Sequence, residues 1–212
     1  KIGDKKVTPI GIAEGFDKDA LAVYALSNLF GIRTIGTILT NENEGNPKPR
    51  IETDEYRKTI DNTQSFPSRG VDRVVKNLKQ SKRNEGNSVL LASICGVPDA
   101  KGRITNTYGQ LEELTDKLNP FVDAFIWNSA SPNTRSLQLL RSYETARESA
   151  KIISRIANGK PVLVKIWPYE VAGREEAMRF VRGFIDGGGK GVVAVNTLKR
   201  NYPIGKNESS GL

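Results

Sequence analysis

The chain has 212 residues, 37% hydrophobic and 26% charged, an ordinary globular balance that argues against disorder over its whole length. One cysteine and no histidine exclude an internal disulfide, a thiolate metal cluster, a serine–histidine triad and histidine-ligated zinc or iron. The net charge of +8 points to an anionic partner, and the longest apolar runs, 20–26 and 89–95, fall well short of the roughly 20 residues that cross a bilayer. In chain order, a β-rich run at 8–13 comes first. A helix is predicted over 19–30, apolar nearly all round and ended by Gly31, a residue suited to the left-handed C′ position. A second run spans 33–39. Val71, Val74, Val75 and Leu78 then recur at i, i+3, i+4, i+7 and give one apolar helix face. Arg69, Arg73, Lys76, Lys79, Lys82 and Arg83 make that helix basic, which reads as a solvated face and as the local candidate surface for an acidic partner. The third run, 88–95, ends on Cys95, read as an inert buried thiol. Leu111, Leu114 and Leu118 mark the next helix, before a run at 122–127. A long helix is predicted over 136–157, with Leu140, Tyr143, Ala150, Ile153 and Ile156 inward and a stop at Asn158-Gly159. After a run at 161–166, Ala177, Phe180, Val181, Phe184 and Ile185 define the last helix face, and 191–195 is the sixth run. Asn207-Glu-Ser209 fits a glycosylation sequon by chance as easily as by function.

Strands alternating with helices of this length imply βαβ units and a parallel sheet, either doubly wound or closed as a barrel. The polar residues favour the barrel, because each run delivers one to its C-terminal end, where every strand of a (β/α)8 barrel meets a shared mouth. The first run leads into Glu14-Gly-Phe-Asp17-Lys18; the others carry Thr37, Ser93, Asn128, Lys165 and Asn196-Thr197 in turn. A doubly wound sheet would gather binding residues at one switch point after a glycine-rich first turn, and no G-x-G-x-x-G follows the first run. The expected fold is therefore a (β/α)8 TIM barrel. At about 35 residues per unit, eight units need roughly 280, so 212 residues hold about six, and residues 1–212 are expected to be one barrel domain incomplete at its C-terminus.

The motifs at the strand ends resemble those of dihydroorotate dehydrogenases. Pro9-Ile-Gly-Ile-Ala-Glu-Gly-Phe-Asp-Lys18 is similar to that family's P-x-G-L-A-A-G-F-D-K block, and Ile35-Gly-Thr37 with Gly45-Asn-Pro-Lys-Pro-Arg50 to the block after it. Asn62-Thr-Gln-Ser-Phe66 with Gly70-Val71 resembles the N-R-M-G-F loop, and Asn128-Ser-Ala-Ser-Pro-Asn-Thr134 the N-x-S-S-P-N-T substrate loop. Val162-Leu-Val-Lys165-Ile looks like the flavin lysine strand, and Val193-Ala-Val-Asn-Thr197 like the strand ending in N-T-T. Six blocks in the right order cover nearly the whole chain. The resemblance implies FMN-dependent oxidation of dihydroorotate to orotate in pyrimidine biosynthesis. Serine at Ser131 resembles the quinone-reducing, membrane-associated class, where the soluble class has cysteine. It also implies peripheral attachment to the mitochondrial inner membrane or the bacterial cytoplasmic membrane. No nucleic-acid partner is expected.

Such an oxidation takes a proton from one carbon and a hydride from its neighbour, so a base and a hydride acceptor must face opposite sides of the substrate. By resemblance, Ser131 is the base; a bare hydroxyl is a poor one, so its proton must pass to water or to a neighbour such as Thr134. Lys165 would stabilise the negative charge that reduction places on the flavin. Ala13, Thr37, Ser93, Asn128 and Asn196 complete the implied flavin site. Lys18, Asn62, Phe66, Asn128, Asn133, Asn196 and Thr197 form the implied substrate site, where amides suit a flat ring carrying both donors and acceptors. The match has departures. Glu14 replaces an alanine that lies against the flavin in the family, and a buried carboxylate there needs a partner or a proton. Ser93 replaces an asparagine and Val195 a threonine. The family's phosphate loops, after strands seven and eight, would start about where the chain ends. Two readings follow: a flavoenzyme, or a catalytically inactive relative serving as a structural or binding subunit, with a partner closing the open barrel edge.

Overall fold

The computed structural model describes residues 5–81, 88–204 and 207–210, so Lys82 and Arg83 of the basic helix lie outside the described residues. The chain runs through β1 (Gly11–Asp17), α1 (Val23–Ser27), β2 (Ile32–Ile38), β3 (Glu42–Asn43), β4 (Ile51–Asp54), β5 (Thr59–Asn62), β6 (Ser68–Arg69), α2 (Val71–Gln80), β7 (Val89–Ile94) and α3 (Thr105–Leu118). It continues with β8 (Ala124–Asn128), α4 (Tyr143–Ala157), β9 (Val162–Lys165), α5 (Tyr169–Ala172), α6 (Arg174–Asp186), β10 (Gly191–Val193), β11 (Lys199–Ile204) and β12 (Asn207–Ser210). The principal sheet has six parallel strands in the order β1-β2-β7-β8-β9-β10. Each strand lies beside the next one of its kind in the chain, with no reversal. This is the winding of a barrel wall rather than of a doubly wound sheet, and it accounts for six of the eight βα units of the fold.

Side-chain alternation divides the core into two layers. Val89, Leu91, Ala124 and Ile126 form a small cluster on the inner face, joined by Val7, Ile32, Leu163 and Val193. The opposite faces of the same strands build the main core against the helices, with Ile94, Phe125, Trp127 and Val164 meeting Leu111, Leu114, Ile153 and Phe180. Trp127 stacks on Phe180 at 5.6 Å between centroids and on Phe184 at 6.2 Å, which anchors α6 to the sheet. Cys95 is fully buried, and burial pushes its thiol pKa up, in keeping with an inert residue. On α2, Val71, Val74 and Leu78 are buried while Arg73, Lys76 and Lys79 face solvent.

Two predicted helices are shorter than their apolar patterns suggested. The helix expected over 19–30 is only Val23–Ser27, because the Asp17 carboxylate accepts the N–H groups of Leu21 at 2.8 Å and Ala22 at 3.2 Å and holds the preceding residues in a turn. Leu21, Tyr24 and Leu29 are exposed, so one apolar side of this segment is uncovered. Gly31 is not a left-handed cap; a Cβ there would lie 2.4 Å from the Thr8 carbonyl, so glycine permits a close backbone approach. The long helix expected over 136–157 is divided into a 3-10 turn, Arg135–Leu140, and α4. Ser142 makes the break by accepting the Thr145 N–H at 3.0 Å as N-cap. The predicted stop holds, with Asn158 and Gly159 both left-handed.

The antiparallel strands go beyond the pattern read from the sequence. β3 pairs with β6, and β11-β12-β5-β4 form a separate four-stranded sheet. Ser210 of β12 sits opposite Asn62 of β5, which ties the end of the chain to one of the predicted substrate loops. Among the described residues no helix is long and apolar enough to cross a membrane.

Candidate active site

Four predicted residues meet at the C-terminal ends of adjacent strands. Asn128 on β8 is the register partner of Lys165 on β9. Asn128 Nδ2 donates to Thr37 Oγ1 at 2.8 Å, and Thr37 Oγ1 lies 2.9 Å from Ser93 Oγ. Thr37, Ser93 and Asn128 are all buried, so these three strands share one closed polar cluster directly above the apolar inner layer. Ser93 is too short to make the reach of an amide and spends its hydroxyl on Thr37.

Beside this cluster lies an ion pair. Glu14 Oε1 lies 2.6 Å from Lys165 Nζ, with side-chain exposures of only 6% and 12%. The approach is an ion pair by distance but is not aligned as a hydrogen bond. Three strands separate β1 from β9 in the sheet, so the pair spans the concave side. The carboxylate that looked costly from sequence therefore has its counter-ion. The Glu14 side chain is buried in this pair, whereas its neighbour Ala13 is exposed.

Lys18, just past β1, lines a cavity of about 390 Å3 with Asp19, Glu42, Lys48, Arg50 and Arg69. Burial lowers its pKa to about 8; nearby Asp19 and Glu14 oppose that shift and Arg50 adds to it. Lys18 thus holds its proton less tightly than an exposed lysine.

The predicted substrate loops are joined more loosely. Asn133 Nδ2 donates to Asn62 Oδ1 at 3.4 Å, and Thr134 Oγ1 lies 3.3 Å from Ser65 Oγ. Ser131 is 7% exposed, and its Oγ accepts the Asn133 N–H at 3.3 Å. Ser65 and Phe66 are both left-handed, a conformation that costs non-glycine residues of order 1 kcal/mol or more each. Asn43 holds that bend, donating to the Ser65 carbonyl at 2.9 Å and the Phe66 carbonyl at 2.8 Å, and Asn46 braces Thr63 in the same way. Asn46 and Ser65 lie inside two of the family-like blocks without a role of their own in the sequence reading, and Asn43 lies outside them, beside the Gly45 turn. Phe66, Ser65 and Thr134 share a second cavity of about 470 Å3.

Asn196 and Thr197 interact locally, the Asn196 side-chain Oδ1 accepting the Thr197 N–H at 2.8 Å. The Asn196 backbone N–H donates to Ile166, which sets this turn beside the end of β9. A third cavity, about 430 Å3 and lined by Arg33, Ser88 and Asp123, involves the N-terminal ends of the strands and none of the predicted site residues.

The polar cluster suits the flavin that the motifs imply. Hydroxyls, an amide and an ammonium converge on one side of the sheet, and a lysine ammonium has three N–H groups, so the Glu14 contact leaves others for a ligand. The Glu14–Lys165 pair is neutral overall, so a flat heterocycle laid on it would bury no uncompensated charge.

Comparison with known proteins agrees with this geometry. The family model described as dihydroorotate dehydrogenase matches residues 2–209. A dihydroorotate dehydrogenase (quinone) from Kineococcus radiotolerans is 30% identical over 76% of this chain and 46% of its own length. The protein of that name from Acinetobacter baumannii is 30% identical over 96% of this chain and 63% of its own length. The crystal structure of the Eimeria tenella enzyme in complex with ferulenol superposes with a TM-score of 0.78 at 27% identity, covering 91% of this chain and 57% of that one. The chain thus spans about half to six-tenths of the length of the proteins it matches.

Proposed function

Because the chain belongs to the dihydroorotate dehydrogenase family, we propose that it carries the flavin floor and substrate loops of an FMN-dependent enzyme that oxidises dihydroorotate to orotate and passes the electrons to a quinone. The observation that carries this reading is the Thr37–Ser93–Asn128 cluster beside Lys165, which sets polar donors side by side on rigid strands where the family's cofactor would lie. FMN, when bound, supplies the hydride acceptor. The chain's own residues do the rest. Lys165 offers positive charge to the ring edge that becomes negative on reduction. Lys18 attracts the substrate carboxylate, and Asn62, Asn128, Asn133 and Asn196 offer amide donors and acceptors to the ring. Ser131 Oγ takes the proton and passes its own to water or to a neighbour such as Thr134. Burial of Ser131 keeps bulk water from competing for that step.

Quinone as acceptor agrees with serine rather than cysteine at Ser131 and with the names of the relatives from Kineococcus and Acinetobacter. A lipid-soluble acceptor in turn favours peripheral attachment to the mitochondrial inner membrane or the bacterial cytoplasmic membrane. We take residues 1–212 as part of a single flavin-binding barrel domain, its open edge completed by further chain or a partner subunit. The alternative, an inactive relative kept for binding, draws on the Glu14–Lys165 contact, which engages the lysine that the flavin would use. One experiment separates the two. Purified full-length protein is expected to be yellow, to hold one FMN per chain, and to form orotate from dihydroorotate with a soluble quinone. Colourless protein that stays so when FMN is added overturns the enzyme reading.

A further inference from the structure

Glu14 is a buried charged group that the proposed chemistry does not use. It projects inward from β1 and meets Lys165 at 2.6 Å, while the matching family motif carries a small apolar residue there. A buried carboxylate is retained against its desolvation only when paired, and here its partner is the lysine that faces the flavin in the reading above. Opposite charges in contact largely cancel each other's field a few ångströms away, and in a site shielded from water that field acts strongly on any charge that develops nearby. We infer that Glu14 is a tuning residue: by neutralising Lys165 it lowers the reduction potential of the bound flavin, so that the reduced cofactor gives up its electrons more readily to the acceptor. The inference rests on the flavin reading and adds to it a residue that touches the lysine rather than the substrate.

The geometry fixes the sign. Removing the carboxylate leaves the ammonium uncancelled beside the flavin, which favours the anionic reduced form. The test is the midpoint potential of the flavin in the full-length protein, measured by anaerobic equilibration with a reference dye. For Glu14→Gln, which keeps shape and loses charge, the two-electron equilibrium should move at least tenfold toward the reduced form, about 30 mV upward. Glu14→Asp, which keeps the charge, should stay within about threefold of the parent by the same scale. A purely structural role would change the melting temperature of Glu14→Gln and leave its potential in place; that result, with FMN still bound, overturns the inference alone. Glu14→Ala is read the same way if Glu14→Gln does not fold, and failure of both to fold overturns the tuning role in favour of a structural strut. Parent protein that binds no flavin overturns the flavin reading and this inference with it.

Discussion

The strand ends and the loops over them hold their polar residues in different ways. On the strands, Thr37, Ser93 and Asn128 are buried and bonded to one another at 2.8–2.9 Å, and the Glu14–Lys165 pair is at 2.6 Å. On the loops, Asn62–Asn133 and Ser65–Thr134 are at 3.4 and 3.3 Å and part-buried. The parallel ladder sets the first group regardless of any ligand. The second depends on local turns, including two left-handed non-glycine residues held by Asn43. The strand tier is thus fixed by the ladder, whereas the loop tier has the longer contacts that catalytic groups in ligand-free sites commonly show.

The largest expected effect probes the loops. Ser131→Ala should lower kcat for dihydroorotate oxidation by about 10²–10⁴-fold, the range for loss of a general base, while FMN content stays at the parent level. Loss of FMN together with activity would mean that the two tiers are not separate. The next probes the strands. Lys165→Met strands the Glu14 carboxylate without its counter-ion and should cost about 3–5 kcal/mol in denaturant unfolding, much of it recovered in the Glu14→Leu/Lys165→Met double variant. Equal losses in both would show that packing rather than charge holds the two strands together.

A third test uses pH. Burial lowers the Lys18 pKa from its ordinary 10.5 to about 8, so the unfolded chain binds this proton more tightly than the folded one. Its contribution therefore makes folding stability rise between about pH 8 and 10.5. For the same reason, the KM for dihydroorotate should rise above pH 8, approaching tenfold per unit as the ammonium is lost, and Lys18→Met should flatten that rise. A KM that is level through pH 9 in the parent removes Lys18 from carboxylate binding. The smallest effects compare the tiers directly. Thr37→Val strips two buried partners of their hydrogen bonds and should cost about 1–3 kcal/mol in denaturant unfolding; Ser65→Ala, with one long part-buried bond, should cost about 1 kcal/mol or less.

The same division explains what the sequence made legible. The inner parallel strands are largely buried and read as continuous apolar runs, and the part-buried edge strands β1 and β10 still carry short apolar runs, so all six were found, and the terminal residues Thr37, Ser93, Asn128 and Lys165 came with them. The antiparallel sheet was not legible. β4 and β5 are short and largely polar, and the pairing of Ser210 with Asn62 joins residues far apart in the chain, so no local periodicity marks it. Helix length failed where a single side chain intervened: Asp17 accepting from Leu21 and Ala22, and Ser142 capping α4. Glu14 was visible as a departure from the family motif, but its partner was not. That pairing needs the curvature of the sheet to bring β1 across to β9, and no spacing along the chain encodes it.

The most direct test of the account is anaerobic addition of dihydroorotate to the purified full-length protein while the visible flavin absorbance is followed. The account predicts bleaching that is complete at about one equivalent of substrate per bound FMN, the two-electron stoichiometry of a hydride transfer, with colour restored by a quinone. Flavin that stays oxidised in excess dihydroorotate would contradict it.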